Sequence, residues 1–267
     1  MPLIKETLLT LLLSSAPALP LGQNLETISA FFLDKKFKTD ALGEGPGQHD
    51  SDPLYRLDAF DCTTFVETVW AMHRTTPGQD WTQTLQDIRY RNGQVHFTER
   101  LHFISLDWMP YQQSKGRVRD VTADMGVPLQ ESKTLITRKG WYQKKHQAQL
   151  TDFTSRYPKD EPQRVQLKYL KFGELLDHPA GLEKLKVELK KGPLLANFVR
   201  PNFDTVASIG THIDISHQGF LLLKDGSIIL RHASLSLLKV GDEDFLDYMK
   251  FYRHHPTLKG MQLIRLL

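Results

Sequence analysis

The chain has 267 residues, which is long enough for one large domain or for a core with a substantial insertion. Its hydrophobic fraction of 40% and charged fraction of 24% are ordinary for a soluble globular protein. The formal charge of +3 favours an anionic polymer as a partner but is too small to indicate nucleic acid, and the sequence has no nucleic-acid-binding motif. A single cysteine excludes an intramolecular disulfide.

Residues 1–22 form an N-terminal extension that has two interpretations. The apolar run Leu8–Leu13, followed by Ala16-Pro17-Ala18, is typical of a secretory signal with its cleavage site, and a signal predicts a periplasmic or otherwise exported protein. In the alternative, these residues form an amphipathic first helix, because the run is short and only Lys5 precedes it as a basic residue. No segment approaches the ~20 apolar residues of a membrane span.

The sequence pattern in the first half of the chain predicts mainly helices. Residues 23–34 carry apolar side chains at helical spacing, and residues 43–53 are rich in glycine and aspartate and predict a loop. The strongest helical stripe runs from Phe65 to His73, and Thr75–Gly78 ends it. A shorter helix is predicted over residues 81–90.

The second half of the chain differs from the first in composition and in periodicity. Residues 133–191 are rich in lysine and glutamine, have weak periodicity and contain several proline and glycine breaks. We interpret them as a peripheral insertion with short helices, within a single domain of residues 23–267. The last third predicts four strands: residues 194–199, 213–224, 227–233 and 261–267.

Cys62 lies at the first turn of the strongest helix. There the free backbone N–H groups and the positive end of the helix dipole favour thiolate over thiol, and they can also stabilise an oxyanion. Asp61 can cap this turn, and Thr64 and Glu67 have the spacing of a capping box. The alternative is a buried cysteine that happens to begin a helix.

Asp225-Gly226 lies between two β-forming runs and predicts a two-residue hairpin turn. Counting outward from this turn, Leu221 faces Leu230 and successive side chains alternate between the two faces. Since the histidine face is otherwise leucine and isoleucine, we expect it to pack against the helix that carries Cys62.

In this register His217 and His232 are diagonal neighbours on one face of the hairpin, and Gly219 leaves the space between them empty. One imidazole can accept the proton of Cys62 while the other orients it, which is the arrangement of a nucleophile, a base and an orienting group. The competing interpretation is a pair of structural histidines at strand ends.

A second polar cluster precedes Pro110. Arg100 can bind a peptide carboxylate and Trp108 can stack on a sugar ring, with His102 and Asp107 beside them. The alternative is a structural ion pair with a core tryptophan.

A zinc-dependent amidase is a rival hypothesis, because His212 and Asp214 form a possible pair of zinc ligands on one strand face. In a regular strand, counting by twos from His217 places both on the opposite face.

The motifs together resemble the N-acetylmuramoyl-L-alanine amidase-like family, long a domain of unknown function, within the NlpC-type papain-like cysteine peptidase superfamily. The likeness runs from about Leu25 to the C-terminus. The stretches that match this family are Phe60–Glu67, Arg100–Trp108, Asp120–Thr122 and Leu230–Ser234, and His217–Phe220 matches the wider NlpC-type pattern.

The resemblance implies an α+β fold with a papain-like NlpC-type core, in which the cysteine-bearing helix packs on an antiparallel β-sheet after an N-terminal helical part. It implies Cys62 as nucleophile, His217 as base and His232 as orienter. The implied substrate is a peptidoglycan fragment, a muropeptide, cut between N-acetylmuramic acid and L-alanine.

Asp61 and Thr63 are further candidate substrate contacts, and no cofactor, metal or nucleic-acid partner is predicted. The oligomeric state is not predicted. A non-catalytic wall-binding or effector module on the same fold, and acyl transfer through the same thioester, stay open as alternatives.

One segment departs from the family pattern. The Leu-Gly-x-Pro-Tyr motif of the relatives is represented here by Leu33–Phe37, so that Phe37 lacks the tyrosine hydroxyl. Phe37 therefore cannot supply a hydroxyl to the substrate or to the oxyanion.

Overall fold

The structure is a computed structural model that describes residues 19–267. The possible signal sequence or amphipathic helix of residues 1–18 lies outside the described residues. Within the described part, no helix combines the length and the apolar character that crossing a membrane requires.

The core of the fold is one mixed β-sheet of ten strands. The strands are β1 (Lys36–Phe37), β2 (Ala59–Phe60), β3 (Val118–Asp120), β4 (Leu129–Ile136), β5 (Gln163–Lys171), β6 (Leu194–Phe203), β7 (Ile213–Lys224), β8 (Ser227–Ser234), β9 (Lys239–Asp244) and β10 (Gly260–Leu266). Their spatial order is β2-β1-β9-β8-β7-β6-β10-β5-β4, with β3 also paired to β10. Only β1 and β2 run parallel to each other, and all other neighbours are antiparallel.

Ten α-helices surround this sheet in the described residues. They are α1 (Leu25–Phe31), α2 (Cys62–Arg74), α3 (Trp81–Arg89), α4 (Met109–Ser114), α5 (Arg138–Lys145), α6 (Leu150–Arg156), α7 (Phe172–Leu176), α8 (Pro179–Leu189), α9 (Val206–Ile209) and α10 (Phe245–Tyr252). A π-helical turn over Ile104–Trp108 leads into α4. The predicted α+β class is confirmed, as are the helices predicted around residues 23–34, 62–74 and 81–90.

The sheet is covered on both faces by apolar side chains. On one face α2 packs across β7 and β8, and Phe65 meets Phe220 edge to face with ring centroids 5.8 Å apart. On the other face Leu221 and Leu230 belong to a second cluster, together with Phe245 of α10 and Leu185 of α8. Each strand of the central hairpin is therefore buried on both sides, which explains its nearly continuous apolar sequence.

The predicted hairpin between β7 and β8 is confirmed in its turn and in its register. Asp225 and Gly226 both have positive φ, +50° and +80°, as a two-residue hairpin turn of this kind requires. Lys224 pairs with Ser227, and Leu221 pairs with Leu230.

The expectation that the histidine face packs against the cysteine helix is wrong. The leucines and isoleucines on that face, Leu221, Ile228 and Leu230, pack towards α8 and α10 instead. The helix α2 contacts the neighbouring positions Phe220 and Leu222 on the opposite face. Because both faces of the hairpin are apolar, the pattern of hydrophobic residues did not distinguish between the two helical layers.

The segment of residues 133–191 holds more than the predicted short helices, since it includes the second half of β4 and all of β5. Along β4, the buried positions Ser132 and Thr134 alternate with the exposed Glu131 and Lys133. Of the three buried positions that alternate along β4, only Ile136 is apolar, so the strand has a weak apolar period in its sequence. Since β4 is an edge strand, its charges also disfavour pairing with another chain.

The hairpin turn provides a test of the register. A Cβ at Gly226 would meet no atom within 4 Å, so that Gly226→Ala changes only the backbone energy at a φ of +80°. We expect this variant to lose about 1 kcal/mol of unfolding free energy in urea denaturation. Gly226→Asn, whose side chain tolerates the left-handed region, should lose less. Equal stability of all three proteins would contradict the turn.

Candidate active site

Cys62 is the first residue of α2, and a capping box fixes it there. The Oδ1 of Asp61 accepts a hydrogen bond from the Thr64 N–H at 2.8 Å, and the Thr64 Oγ1 accepts one from the Asp61 N–H at 3.0 Å. Asp61 therefore caps the helix as predicted. Glu67 is not part of the box, because it is buried and accepts a hydrogen bond from Trp108 Nε1 at 3.1 Å.

The protonation state of Cys62 differs from the expectation of a stabilised thiolate. Burial of the sulfur raises the pKa of Cys62 to about 11, and the negative charge of Asp61 adds to this. The backbone groups of Gln218 and Thr63 lower the pKa, as N–H donors at a thiolate should, but the loss of water outweighs them. Cys62 is therefore a thiol at neutral pH until a proton acceptor removes its proton.

His217 and His232 form the pair that the hairpin register predicts. Their Nε2 and Nδ1 atoms lie 2.7 Å apart, and the rings meet edge to face. A Cβ at Gly219 would lie 2.9 Å from the Cβ of His232 and 2.8 Å from Leu230 Cδ1, so the position has no room for a side chain. The empty space predicted at Gly219 is confirmed.

Glu243 extends this pair to a chain of three groups. Its Oε2 lies 2.6 Å from the Nε2 of His232. A carboxylate can only accept, so the Nε2 of His232 carries a proton, and in the neutral ring Nδ1 is then an acceptor. The Nε2–H of His217 donates to it, which leaves the Nδ1 of His217 with a free lone pair. Glu243 thus selects the tautomer in which His217 can act as a base.

His217 is neutral in the resting protein. Burial lowers the pKa of His217 to about 3, and the electrostatic influence of His232 and Arg200 lowers it further. Arg200 also donates a hydrogen bond from Nε to the Oγ of Ser216 at 3.0 Å. This hydrogen bond restrains Ser216, which lies immediately before His217. The pairing of β6 with β7 shifts register at Ser216.

Of the three hydrogen-bonded residues His217, His232 and Glu243, sequence reasoning missed Glu243. It lies on β9, whose sequence Lys-Val-Gly-Asp-Glu-Asp resembles an exposed loop more than a strand. In the structure Glu243 pairs with Leu230, so it is a diagonal neighbour of His232 on the same face. Had β9 been recognised as the third strand of a meander, the same counting by twos would have found it.

Cys62 and His217 line one cavity of about 280 Å³, together with Thr63 and Gln218. A second cavity of about 340 Å³ is also lined by Cys62, together with Asp61, Thr63 and Phe37. Cys62 and Thr63 thus contribute to the walls of both cavities. Phe37, where the family pattern has tyrosine, faces the second space without a hydroxyl.

Several residues predicted to contact substrate instead form ion pairs and hydrogen bonds within the protein. Arg100 donates to Glu44 at 2.5 Å and to Asp50 at 2.9 Å, which fixes the loop of residues 43–53. Asp107 accepts a hydrogen bond from Arg138 Nε at 2.9 Å and another from the Phe103 N–H at 3.1 Å. These residues hold the walls of the site, which is the structural alternative for this cluster.

The stacking role predicted for Trp108 is wrong. Its side chain is 0% exposed and packs against Trp70, so neither ring face is open to a sugar. His102, another candidate substrate contact, lines the cavity with Cys62. The neighbouring aromatic side chain that reaches the cavity is Trp141, whose ring centroid lies 4.4 Å from that of His102. Sequence reasoning missed it, because it lies within the segment interpreted as a peripheral insertion.

The proposed zinc pair is not brought together with a third ligand. His212 lies 3.9 Å from Asp204, whereas Asp214 is buried beside Ser105, to which it is hydrogen-bonded. Within residues 19–267 no group of three histidine, cysteine, aspartate or glutamate side chains has the arrangement of a metal site. Counting by twos across Ser216 was nevertheless wrong, because the register shift there lets Asp214 line the same cavity as His217.

Comparison with known proteins identifies the family. The AmiA-like family model, described as N-acetylmuramoyl-L-alanine amidase-like, matches residues 27–255. The chain belongs to this amidase-like family. The motifs around Cys62 and His232 thus indicated the correct family. No curated protein matches the chain significantly.

Solved structures share the fold of this amidase-like protein. A protein from Legionella pneumophila has 29% sequence identity and a TM-score of 0.83, with 91% of this chain and 88% of that chain covered. An N-acetylmuramoyl-L-alanine amidase from Bacteroides uniformis has 21% identity and a TM-score of 0.67, with 92% and 98% covered. A candidate xylanase from Bacteroides fragilis has 24% identity and a TM-score of 0.64, with 89% and 99% covered.

The neutral state of His217 predicts how the amidase-like protein responds to acid. Below pH 6.5 the unfolded chain protonates His217, but the folded chain does not until about pH 3, so stability falls as the pH decreases through this window. We expect His217→Gln to recover up to about 2 kcal/mol of unfolding free energy at pH 5 relative to pH 7. Urea denaturation at the two pH values measures this difference. His254→Gln, which replaces an exposed histidine, is the matched control, and an equal gain in both variants would contradict the assignment.

Proposed function

We propose that the chain is a cysteine amidase that hydrolyses peptidoglycan fragments, at the bond between the lactyl group of N-acetylmuramic acid and L-alanine. The observation that supports this most strongly is the hydrogen-bonded series from Glu243 through His232 to His217. His217, the proposed base, lines one cavity with Cys62. Membership of the amidase-like family supports a peptidoglycan fragment as the class of substrate. The geometry favours a thiol nucleophile with a histidine base.

The first half of the proposed reaction forms a thioester. As Sγ of Cys62 attacks the carbonyl carbon of the amide, the Nδ1 of His217 takes the thiol proton. Free N–H groups at the start of α2 lie beside the sulfur and stabilise the negative oxygen of the tetrahedral intermediate. The C–N bond then breaks, and His217 returns the proton to the leaving amine of L-alanine.

The second half regenerates the enzyme. Water attacks the thioester carbon while His217 takes one of its protons, the C–S bond breaks, and the thiolate recovers the proton from the imidazolium. The lactyl carboxylic acid is released. Because Cys62 and His217 are both neutral at rest, proton transfer creates two opposite charges that attract each other in a water-poor cavity. Glu243, through His232, stabilises the imidazolium that forms.

The fold supports a papain-like, NlpC-type core, with a cysteine at the start of a helix that packs on an antiparallel sheet. We also propose that the protein is exported to the periplasm. The motif Ala16-Pro17-Ala18 after an apolar run supports export, as does a substrate that is part of the cell wall.

Replacement of the nucleophile tests the reaction. Purified muropeptides should lose their peptide from N-acetylmuramic acid when treated with the wild type, as seen by mass analysis of the products. Cys62→Ala should give no product, and Cys62→Ser should lose at least about 100-fold in turnover, because an alcohol is much harder to deprotonate. His254→Gln should remain fully active. Full activity of Cys62→Ala would refute the thiol mechanism, and binding without cleavage by the wild type would favour a non-catalytic module.

The role of Glu243 can be tested apart from folding. Glu243→Gln keeps a hydrogen-bond acceptor for His232 but removes the charge, so we expect kcat to fall on the order of 10-fold with KM nearly unchanged. The imidazolium loses a stabilising charge, and the acidic limb of the kcat profile should therefore move to lower pH. Asp247→Asn, on the exposed side of α10, is the control. An unchanged pH profile in Glu243→Gln would remove Glu243 from the catalytic chain.

A further inference from the structure

Arg200 of β6 lies near the proposed base but has no part in the reaction described above. Its Nε donates a hydrogen bond to the Oγ of Ser216 at 3.0 Å, and its Nη1 donates one to the Oγ1 of Thr257. Its guanidinium carbon lies 5.1 Å from the centroid of the Phe203 ring. These partners are all neutral, and no carboxylate among residues 19–267 forms an ion pair with this guanidinium. Arg200 is therefore a cation without a close counter-charge, and its contacts hold it in one orientation.

The hydroxyl that Arg200 holds belongs to the extra residue of a β-bulge. On β6 Phe198 pairs with His217. Its neighbour Val199 pairs with Ile215, which leaves Ser216 without a residue opposite it. One extra residue changes the alternation of side chains along the rest of a strand, so a bulge at another position would change which side chains face the cavity. The hydrogen bond from the guanidinium fixes the bulge at the residue immediately before the base.

The charge of Arg200 also acts on His217. The described ionisable side chains around His217 are Asp40, Cys62, His102, Arg200, Asp214 and His232, with Glu243 and Tyr248 beyond His232. Burial lowers the pKa of His217 to about 3, and after His232 the guanidinium of Arg200 lowers it further. Arg200 is the permanent cation of this set, so its effect persists at every pH at which the protein is folded.

A neighbouring cation suits the second task of the base. When the C–N bond of the substrate breaks, the imidazolium must return its proton to the leaving amine. An imidazolium gives up its proton more readily beside a fixed positive charge. Glu243 acts in the opposite direction, because through His232 it stabilises the imidazolium while it forms. The two charges thus favour opposite halves of the proton transfer.

We propose that Arg200 is a positioning residue for the base: its hydrogen bond fixes the bulge at Ser216 and thereby directs His217 into the cavity of Cys62, while its charge favours return of the proton to the leaving amine. The inference rests on the proposed function, since that function makes His217 the base.

The effect of the charge can be measured without substrate. In the Cys62→Ala protein, heteronuclear NMR of the ring nitrogens follows the protonation of His217 on acidification. Arg200→Met removes the charge, so we expect His217 to take up its proton at a pH about one unit higher than with Arg200 present. Arg200→Lys keeps the charge and should titrate nearly as the protein with Arg200 does. Arg164→Met, at an exposed position of β5, is the matched control and should change nothing.

The hydrogen bond can be tested by a double-mutant cycle on kcat in the active protein. Ser216→Ala removes the acceptor and should lower kcat on the order of 10-fold, because the base is no longer held in place. Arg200→Met should lower kcat at least as much. The double variant should be little slower than Arg200→Met alone, since the same hydrogen bond can be lost only once. Arg164→Met should keep the kcat of the wild type.

An unchanged titration of His217 in Arg200→Met would overturn the inference, and so would full kcat in Ser216→Ala or losses that add in the double variant. If the wild type cleaves no muropeptide, the proposed reaction fails, whereas the titration of His217 still decides whether Arg200 acts on it.

Discussion

The register of the hairpin formed by β7 and β8 is the constraint on which the site depends. A slip of one residue would move every side chain of a strand to the other face of the sheet. His217 and His232 would then no longer meet, and Glu243 on the next strand would have no partner. The two residues at the turn, Asp225 and Gly226, hold this register through backbone conformations that most residues avoid. The geometry of a turn exposed to solvent thus determines contacts in the interior.

The residues that the sequence predicted well are those whose signals are local. A helix with a clear apolar stripe, a two-residue turn and the spacing of two histidines can each be found from neighbouring residues, and the structure confirms all three. The strands β4 and β9 could not be found in this way. Their inward or paired positions hold Ser132, Thr134 and Glu243, so their strand character depends on neighbours that are distant in the sequence. The packing partner of the histidine face was not predictable either, because both faces of the hairpin are apolar.

Two effects on the pKa of the Cys62 thiol compete, and both result from its place at the start of α2. The start of a helix supplies N–H donors that favour the thiolate, but the folding that places Cys62 there also removes the water around it. Burial dominates here and raises the pKa of Cys62, while the same burial lowers the pKa of His217. Sequence position reveals the first effect, whereas only the packed structure reveals the second. Both groups are held neutral, and the cost of separating charge falls on the reaction itself.

Glu243 is 32% exposed, whereas His232 between it and His217 is 2% exposed. The hydrogen-bonded series therefore runs from His217 in the substrate cavity to Glu243, which contacts bulk solvent near α10. A cation, a detergent headgroup or a neighbouring protein that neutralises Glu243 would weaken the base without entering the cleft. Such a molecule would inhibit noncompetitively, and muropeptide would not displace it. Screening for inhibitors by competition with substrate would overlook this second surface.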